Sequence, residues 1–373
     1  MRPRARASPA RRSTNSKRWH ITSQPGTGNA NETRSRKADH LRLALEQDVS
    51  GKSVSAGFER YRLLNCALPE FDLDAVDTST RLLGKRLSAP VLISCMTGGT
   101  AAAGEINRTL ARTAQAYGFA IGLGSGRALI EDPSLLDTFA VRAQAPEVLL
   151  LANIGAVQLN KGYGVDECRR LVEMLEADAL VVHLNALQEA VQPEGDTQFG
   201  GLLKKIAKLC AKLDVPVVAK EVGWGIDAEI AGALLHAGVA AIDVAGAGGT
   251  SWSEVERFRT EDPAAQAVAF EFAGWGIPAA DALVAVRRSH PRASVIASGG
   301  VRTGIDVLKA LALGANCVGL ASPFLRVAAE GQDASNAFAA HLQRVLSVGM
   351  FALGEQTIAD LRRTKRIEHA RDR

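Results

Sequence analysis

Short apolar runs and amphipathic segments alternate along most of the chain. From Pro90 onward, eight runs rich in valine, isoleucine, leucine and alanine each end at a glycine or polar residue, and most are followed by a segment with helical spacing. The runs are PVLISCM, FAIGLGS, EVLLLAN, ALVVHLN, PVVAKEV, AAIDVAG, SVIASGG and CVGLASP. Strands that alternate with helices predict right-handed β-α-β crossovers, and eight such units favour a closed (β/α)8 TIM barrel of the α/β class.

A doubly wound open sheet is the alternative architecture. Its fingerprint is G-x-G-x-x-G at the start of the helix that follows the first strand. Here the first strand leads into Met96-Thr97-Gly98-Gly99, which lacks that spacing. The barrel is therefore the predicted fold, and it predicts a site at the carboxyl ends of the strands, where such barrels carry out their chemistry.

The first 33 residues differ in character from the rest. They are rich in arginine, serine, proline and glycine, and no acidic residue appears before Glu32, although the whole chain has a net charge of only +4. We predict a disordered basic tail over 1–33 and a single domain over 34–373. A nucleic-acid arm is the alternative, but no aromatic residues interleave usefully with the charges, so no nucleic-acid partner is expected.

Composition narrows the setting of the protein. A chain of 373 residues that is 47% hydrophobic can bury a large core. Its five cysteines are scattered without a C-x-x-C pair, which is typical of reduced thiols. No apolar run approaches the roughly 20 residues that span a bilayer, and the start of the chain lacks a secretory signal. A cytoplasmic protein without a membrane partner is expected.

The fourth run has the most polar end. In LVVHLNALQE, His183, Asn185, Gln188 and Glu189 follow a buried strand closely. They would bring a proton carrier, neutral hydrogen-bonding groups and an oxygen ligand for a hard cation into one small volume. Alone, His183 is equally consistent with a core histidine and Gln188 with a loop amide. Their joint occurrence favours a functional site.

Two other strand ends invite an interpretation. Gly299 and Gly300 let backbone N–H groups approach an anion, and the next helix, TGIDVLKAL, offers its positive end, so a phosphate site is predicted there. Lys220 could form a Schiff base, pair with Glu221 or lie beside an anionic cofactor ring. Adjacent strand residues point to opposite faces, which disfavours the pair and leaves the other two roles open.

Arg36, Lys37 and His40 precede the helical pattern LRLALEQDV. Two cations and a histidine at a helix entrance could hold a phosphate. A charge run of this kind is more often a solvated helix end, which is what the local pattern favours.

Several of these motifs together resemble the type 2 isopentenyl diphosphate isomerases, which are FMN-dependent (β/α)8 enzymes. The motifs are RKADH, MTGG, LVVHLNALQE with QPEGD, KEVG and GAGGTSW, in the family's order. The resemblance implies an isomerase of isoprenoid biosynthesis that interconverts isopentenyl and dimethylallyl diphosphate by a 1,3-allylic proton shift. It also implies reduced FMN, Mg²⁺, NADPH as reductant, and a homo-oligomer, either a tetramer or an octamer.

The resemblance assigns a substrate site, and in doing so reverses the local interpretation of the basic cluster. The implied substrate-binding residues are Arg36, Lys37, His40, Ser125, Arg127 and Gln188. The family usually carries glutamine between Ser125 and Arg127, whereas this chain has Gly126. A looser diphosphate site is expected at this tip.

The remaining roles concern catalysis, metal and flavin. Gln188 is expected to relay or accept a proton, with His183 and Asn185 beside it as catalytic residues, and Glu189 is expected to hold Mg²⁺ with the diphosphate. The implied FMN contacts are Met96, Thr97, Gly98, Ser125, Asn153, Lys220, Thr250, Gly299, Gly300, Arg302, Ala321 and Ser322.

Two other enzymes remain as alternatives. An FMN-dependent α-hydroxy acid oxidase or dehydrogenase would use the same barrel and cofactor, but it needs a histidine base and a carboxylate-binding arginine after the sixth strand, where this chain has GAGGTSW. An aldolase would use Lys220 and need no flavin.

Overall fold

Eight parallel strands form a closed barrel in the computed structural model, which describes residues 30–370. Each predicted run overlaps one strand, so the predicted (β/α)8 barrel is confirmed. The strands are β1 (Val91–Ile93), β2 (Ala120–Gly122), β3 (Leu150–Gly155), β4 (Ala179–Leu184), β5 (Val217–Glu221), β6 (Ala241–Asp243), β7 (Val295–Ala297) and β8 (Cys317–Leu320).

Helices surround the barrel. They are α1 (Ala30–Glu46), α2 (Ala101–Tyr117), α3 (Arg127–Glu131), α4 (Val165–Leu175), α5 (Ala186–Val191), α6 (Leu202–Lys212), α7 (Ala228–His236), α8 (Trp252–Arg259), α9 (Pro263–Glu271), α10 (Ala279–Ser289), α11 (Gly304–Ala312), α12 (Ser322–Glu330), α13 (Gln332–Leu353) and α14 (Ile358–Leu361). The outward-facing strand residues and the inner faces of these helices form the larger hydrophobic core.

A second, smaller core fills the inside of the barrel. A two-stranded hairpin, Thr80–Leu82 with Lys85–Leu87, places Leu82 and Leu87 among the inward-facing residues of the strands. The strand residues of this core are Leu92, Ala120, Leu149, Leu151, Ala179, Val181, Val218, Ala241, Ile296 and Cys317. The hairpin therefore closes the amino end of the barrel with apolar side chains, and the carboxyl end stays available for a site.

Helix α1 corrects the prediction about the basic cluster. It begins at Ala30, so it takes in the last four residues of the segment predicted as a tail, and Arg36, Lys37 and His40 lie within the helix rather than at its entrance. The positive end of this helix is therefore too far from Arg36, Lys37 and His40 to help them bind a phosphate. The rest of the predicted tail, 1–29, lies outside the described residues.

The position of α1 is fixed by apolar packing against α8. Leu43, Val49 and Val255 form a small buried cluster, and Trp252 packs on it. Because α8 follows β6, this contact lays α1 across the carboxyl end of the barrel. Within residues 30–370, no helix combines the length and apolar character needed to cross a membrane.

Helix α13 provides a test of the outer core. Leu346 is 1% exposed, whereas Val348 on the same helix is 43% exposed. Leu346→Ala should lower the free energy of unfolding by about 2–5 kcal/mol, because it removes buried methyl groups and leaves a cavity. Val348→Ala should change it by less than about 0.5 kcal/mol. Thermal unfolding measures both, and equal melting temperatures would contradict the packing described.

Candidate active site

A cavity of about 590 Å³ opens at the carboxyl end of the barrel. Its wall includes every residue predicted for the site. These are Arg36, Lys37, His40, Met96, Thr97, Gly98, Ser125, Arg127, Asn153, His183, Asn185, Gln188, Glu189, Lys220, Thr250, Gly299, Gly300, Arg302, Ala321 and Ser322. Tertiary structure thus brings together residues that lie up to 286 positions apart in the chain.

The floor of the cavity follows from the alternation of the barrel strands. Two residues beyond the last apolar inward position of each strand, the same face carries a polar residue or glycine. These positions are Ser94, Gly122, Asn153, His183, Lys220, Asp243, Ser298 and Gly319. The strand register aligns the tips, since His183 pairs with both Gly155 and Lys220. The barrel interior therefore changes from an apolar layer to a polar layer directly below the cavity.

His183 is held neutral and in one orientation. Asn153 donates from Nδ2 to the carbonyl oxygen of Leu123 (3.2 Å), so its Oδ1 is left to accept a hydrogen bond from Nδ1 of His183 (2.9 Å). This assigns the proton to Nδ1 and leaves Nε2 as an acceptor. Burial, reinforced by the charges of Lys220 and Lys37, lowers the pKa of His183 to about 3. Without a ligand, His183 is therefore not a proton donor near neutral pH.

Asn185 organises the start of α5. Its Nδ2 donates to Oε1 of Gln188 (3.3 Å) and to Oε1 of Glu189 (2.8 Å). The other carboxylate oxygen of Glu189 accepts from the backbone N–H of Asp196 (2.7 Å). The two side chains that follow β4 are therefore oriented by one amide, and Glu189 keeps lone pairs on both oxygens.

Glu256 was not predicted from the sequence, although it connects three helices. Its carboxylate accepts hydrogen bonds from Nε2 of His40 (3.0 Å), Nε2 of Gln188 (3.2 Å) and Nε of Arg259 (2.7 Å). Burial alone would raise the pKa of Glu256, but the bonds from His40 and Arg259 outweigh it and hold the pKa at about 2. A signal was present, because Glu256 falls on the same face of α8 as Trp252 and Val255, at a spacing that otherwise buries apolar residues.

Three cations converge on one side of the cavity. Lys37 donates from Nζ to the backbone carbonyl of Ser125 (2.9 Å) and lies 4.8 Å from the centroid of the Phe139 ring. Burial, followed by the charge of Arg36, lowers the pKa of Lys37 to about 7, with Arg127 acting in the same direction. Like charges held this close favour an anionic ligand.

Carboxylates at the rim partly balance this charge. Arg127 donates from Nε to Glu131 (2.8 Å) and lies 3.5 Å from Asp196. Lys161 also pairs with Asp196, at 2.7 Å. Arg127 is therefore held in place before any ligand arrives.

Gly126 does not line this cavity. It precedes α3, and a Cβ built on it would lie 2.4 Å from Cδ1 of Leu171, a buried residue of α4. A side chain at this position would start toward α4. The expectation of a looser diphosphate site at this tip stays a prediction.

Lys220 and Glu221 do not pair through their side chains, as strand alternation predicted. Nζ of Lys220 donates to the backbone oxygen of Glu221 (2.6 Å). The carboxylate of Glu221 accepts from the backbone N–H groups of Val222 and Gly223, both at 2.7 Å, and of Trp224. Burial nevertheless raises the pKa of Glu221 to about 6. Lys220 thus presents a nearly buried cation at the cavity floor.

Two glycines let the loops after β6 and β7 meet backbone to backbone. Gly299 (φ 96°) and Gly300 (φ 73°) adopt left-handed conformations. A Cβ on Gly299 would lie 2.0 Å from the carbonyl oxygen of Gly246, and one on Gly300 would lie 2.5 Å from that of Gly248. No other residue type fits these positions. The wall here is consequently backbone, which suits a ligand that approaches closely.

Two helices begin beside the glycine loops and the last strand. At α11, the helix predicted to offer its positive end, Thr303 caps the N–H of Asp306, and Asp306 accepts from the N–H groups of Arg302 and Thr303. The phosphate site at this helix stays a prediction. Helix α12 has no side-chain cap, and Ala321 and Ser322 at its start line the cavity. The start of α12 is therefore a second place where an anion can bind.

These features fit FMN. The uncapped start of α12 and the glycine loops suit its phosphate and ribityl chain, and Lys220 suits an anionic ring. Three buried polar atoms of the wall also have no hydrogen-bond partner within the described residues: Oγ of Ser94, Oε1 of Gln158 and Oδ1 of Asn185. A cavity with unsatisfied polar atoms is built for a polar ligand.

The described residues contain no cluster of three or more histidine, cysteine, aspartate or glutamate side chains that could hold a metal. Glu189 is therefore without protein co-ligands of these types. A hard cation at this carboxylate would take its other ligands from bound substrate and water, as Mg²⁺ commonly does.

Comparison with known proteins identifies the family. A family model described as FMN-dependent dehydrogenase matches residues 30–132 and 176–368. The isopentenyl-diphosphate delta-isomerase of Nostoc sp. is 51% identical over 91% of this chain and 97% of its own length. The isopentenyl-diphosphate delta-isomerase of Synechocystis sp. is 57% identical over 78% of this chain and 83% of its own length. The chain belongs to the isopentenyl-diphosphate delta-isomerase family. The resemblance inferred from the motifs is thereby confirmed, as is dependence on FMN.

Solved structures of other enzymes share this fold. A flavocytochrome b2 variant with pyruvate bound superposes with a TM-score of 0.64 at 20% identity and covers 88% of this chain and 82% of its own. A mandelate oxidase variant superposes with a TM-score of 0.62 at 20% identity, and the match covers 88% of this chain and 97% of the oxidase. At this identity the likeness establishes the barrel and leaves the reaction to the site.

The packing of Gly126 can be tested by coupling. Gly126→Gln in this isomerase should lower the melting temperature, because the new Cβ meets Leu171. In a Leu171→Ala background, Gly126→Gln should lower the free energy of unfolding by at least about 1 kcal/mol less, because the effects of mutations at residues in contact are not additive. Thermal unfolding of the four proteins gives the coupling, and additive effects would show that Gly126 and Leu171 do not compete for space.

Proposed function

We propose that this isomerase interconverts isopentenyl diphosphate and dimethylallyl diphosphate by a 1,3-allylic proton shift, with reduced FMN bound at the carboxyl end of the barrel. The observation that carries the proposal is the buried network in which Glu256 holds His40 and Gln188 on the cavity wall. Family membership supports the same reaction, because the relatives carry that name.

The flavin would occupy the side of the cavity formed by Lys220, the glycine loops and the start of α12. The list of residues proposed to hold it is Met96, Thr97, Gly98, Ser125, Asn153, Lys220, Thr250, Gly299, Gly300, Arg302, Ala321 and Ser322. Reduced FMN supplies an electron-rich ring and exchangeable protons beside the alkene. Lys220 balances negative charge there, and burial keeps bulk water from the reacting carbons.

The diphosphate would bind where Arg36, Lys37 and Arg127 converge. A carboxylate beside a diphosphate is repulsive unless a cation lies between them, so Glu189 is proposed to share Mg²⁺ with the phosphate oxygens. Ser125 contributes through the backbone carbonyl that positions Lys37. The hydrocarbon chain then extends from this rim toward Gln188 and the flavin.

Gln188 is proposed to handle the proton. An isolated alkene is a weak base, so an acid must reach one terminal carbon while a base lies near the neighbouring methylene. Nε2 of Gln188 donates to Glu256, so Oε1 of Gln188 faces Asn185. This amide oxygen is the atom proposed to accept the proton. The ionised Glu256 also stabilises positive charge that develops nearby. His183, neutral and held by Asn153, is proposed to orient the substrate.

An FMN-dependent α-hydroxy acid oxidase or dehydrogenase is the second candidate. The family model and the folds favour a common ancestry with such enzymes. However, the loop after β6 carries neither a histidine nor an arginine over residues 244–252. The two histidines that line the cavity, His40 and His183, come from α1 and β4. The isomerase therefore fits the site better.

The wider setting is proposed on the same basis. NADPH is proposed to reduce the flavin, and the active form is proposed to be a homo-oligomer, a tetramer or an octamer, in the cytoplasm. The basic segment 1–29 is proposed to lie outside the catalytic domain. No nucleic acid or membrane is proposed as a partner.

The activity is tested directly with purified protein, FMN, a reductant and Mg²⁺ under anaerobic conditions. Isopentenyl diphosphate should be converted to its allylic isomer, and Gln188→Asn should retain bound flavin while turnover falls by at least about a hundredfold, as expected for a misplaced proton-transfer group. The exposed Gln198 provides a matched control, since Gln198→Asn should leave turnover unchanged.

Three outcomes would contradict parts of this proposal. No turnover with fully reduced flavin would reject the isomerase. Unchanged turnover in Gln188→Asn would remove Gln188 from catalysis. A purified protein without flavin absorbance that is trapped by borohydride through Lys220 would favour an aldolase.

The lowered pKa of Lys37 predicts pH-dependent binding of the headgroup. Because Lys37 in the free protein has a pKa of about 7, its neutral amine must take up a proton before it pairs with an anion. Pyrophosphate also loses protons over this range, so affinity is expressed relative to that of Lys37→Arg, and this ratio should fall on the order of tenfold between pH 6.5 and 8.5. Lys37→Arg, which stays charged, should show a shallower decline in calorimetry. Parallel pH profiles for the two proteins would exclude this role.

A further inference from the structure

Gln158 lines the cavity but belongs to none of the motifs that led to the site. It lies on the 3-10 helix Ala156–Asn160, directly after β3, and is 4% exposed. Its Oε1 is buried and has no hydrogen-bond partner within the described residues. A buried amide oxygen without a partner costs stability, so the fold gains nothing from keeping it there.

Hydrogen bonds hold the backbone around Gln158, so the position of its side chain is well defined. Its carbonyl accepts from the N–H groups of Lys161 (2.8 Å) and Tyr163 (3.2 Å). Lys205 of α6 donates to the carbonyl of Leu159 (2.7 Å), and Asn160 donates to that of Gly200 (3.0 Å). The short helix is thus tied on both sides of Gln158.

The neighbours of Gln158 locate it within the cavity. A Cβ built on Gly155 would lie 3.1 Å from Nε2 of His183 and 3.6 Å from Cγ of Gln158, so Gly155 leaves room for both side chains at one point of the wall. The residue that follows the same short helix, Lys161, pairs with Asp196. The backbone N–H of Asp196 in turn donates to Glu189.

Gln158 therefore lies beside the neutral His183, and Lys161, the residue that follows its short helix, reaches the charged rim. His183 offers only an acceptor at Nε2, and Glu189 and Asp196 are acceptors as well. An anionic headgroup between these groups needs hydrogen-bond donors. The amide of Gln158 can supply one without adding charge.

We propose that Gln158 is a further substrate-binding residue, whose side-chain amide donates a hydrogen bond to the diphosphate headgroup. The inference rests on the proposed function, because it takes a diphosphate as the headgroup. It gives the unsatisfied amide a ligand, and it extends the headgroup site from the cations of α1 and α3 to the loop after β3.

The experiment compares Gln158→Leu with Gln144→Leu in the full-length, FMN-loaded protein. Gln144 is a matched control, because its Oε1 is also buried without a partner but the residue does not line the cavity. Calorimetry with inorganic pyrophosphate and Mg²⁺ measures headgroup binding, and thermal unfolding measures stability. Pyrophosphate binding requires no turnover, so this test remains valid if the protein proves not to isomerise isopentenyl diphosphate.

Gln158→Leu should weaken pyrophosphate binding about tenfold, the scale of one lost hydrogen bond to a charged group. It should leave FMN affinity unchanged and the melting temperature equal or higher. Gln144→Leu should leave pyrophosphate binding unchanged. Gln158→Glu, which replaces the donor by a carboxylate, should weaken binding more than Gln158→Leu does.

Two results would overturn the inference. Pyrophosphate affinity equal to that of the unmodified protein in both Gln158 variants would show that the amide does not touch the headgroup. Weaker binding that is accompanied by a lower melting temperature and loss of FMN in both variants would show that Gln158 supports the fold instead. If turnover is present, the Michaelis constant should rise with kcat nearly unchanged, as for lost ground-state binding.

Discussion

Every second side chain of a barrel strand points into the barrel. Along each strand, these inward positions change from an apolar residue to a polar residue or glycine within two residues. Val181 precedes His183 in this way, and Val218 precedes Lys220. Below the change, apolar side chains and the hairpin at 80–87 fill the barrel. Above it, polar groups are held by register on strands that cannot shift without moving every neighbour. The site depends on this constraint, because a floor made of strand residues is rigid.

The wall above the floor depends on a single buried charge. Glu256 lies on α8, His40 on α1 and Gln188 on α5, and one carboxylate oxygen binds both partners. Arg259 neutralises the other oxygen. Removing Arg259 would leave a buried charge poorly compensated, which is costly. Glu256 therefore helps to hold α1 across the carboxyl end of the barrel. It also orients the amide of Gln188, which is proposed to move the proton.

The site is pre-organised rather than assembled by its ligands. Arg127 is paired with Glu131 and Asp196, His183 with Asn153, and α11 is capped by its own residues. Within the described cavity wall, the unsatisfied groups include the start of α12 and three buried polar atoms. Groups already paired lose little freedom on binding, whereas the unsatisfied ones gain a partner, and this difference favours a bound polar ligand.

The sequence by itself determined the eight strands, most of the surrounding helices, and the residues at the strand ends, because periodicity and turn residues are local signals. It also identified the family through motifs in a fixed order. Tertiary structure alone decided the rest. It placed Arg36 within a helix laid across the barrel, packed Gly126 against Leu171, brought Gln158 into the wall, and set Glu256 behind His40 and Gln188. Those facts depend on distances between segments far apart in the chain, which no local pattern encodes.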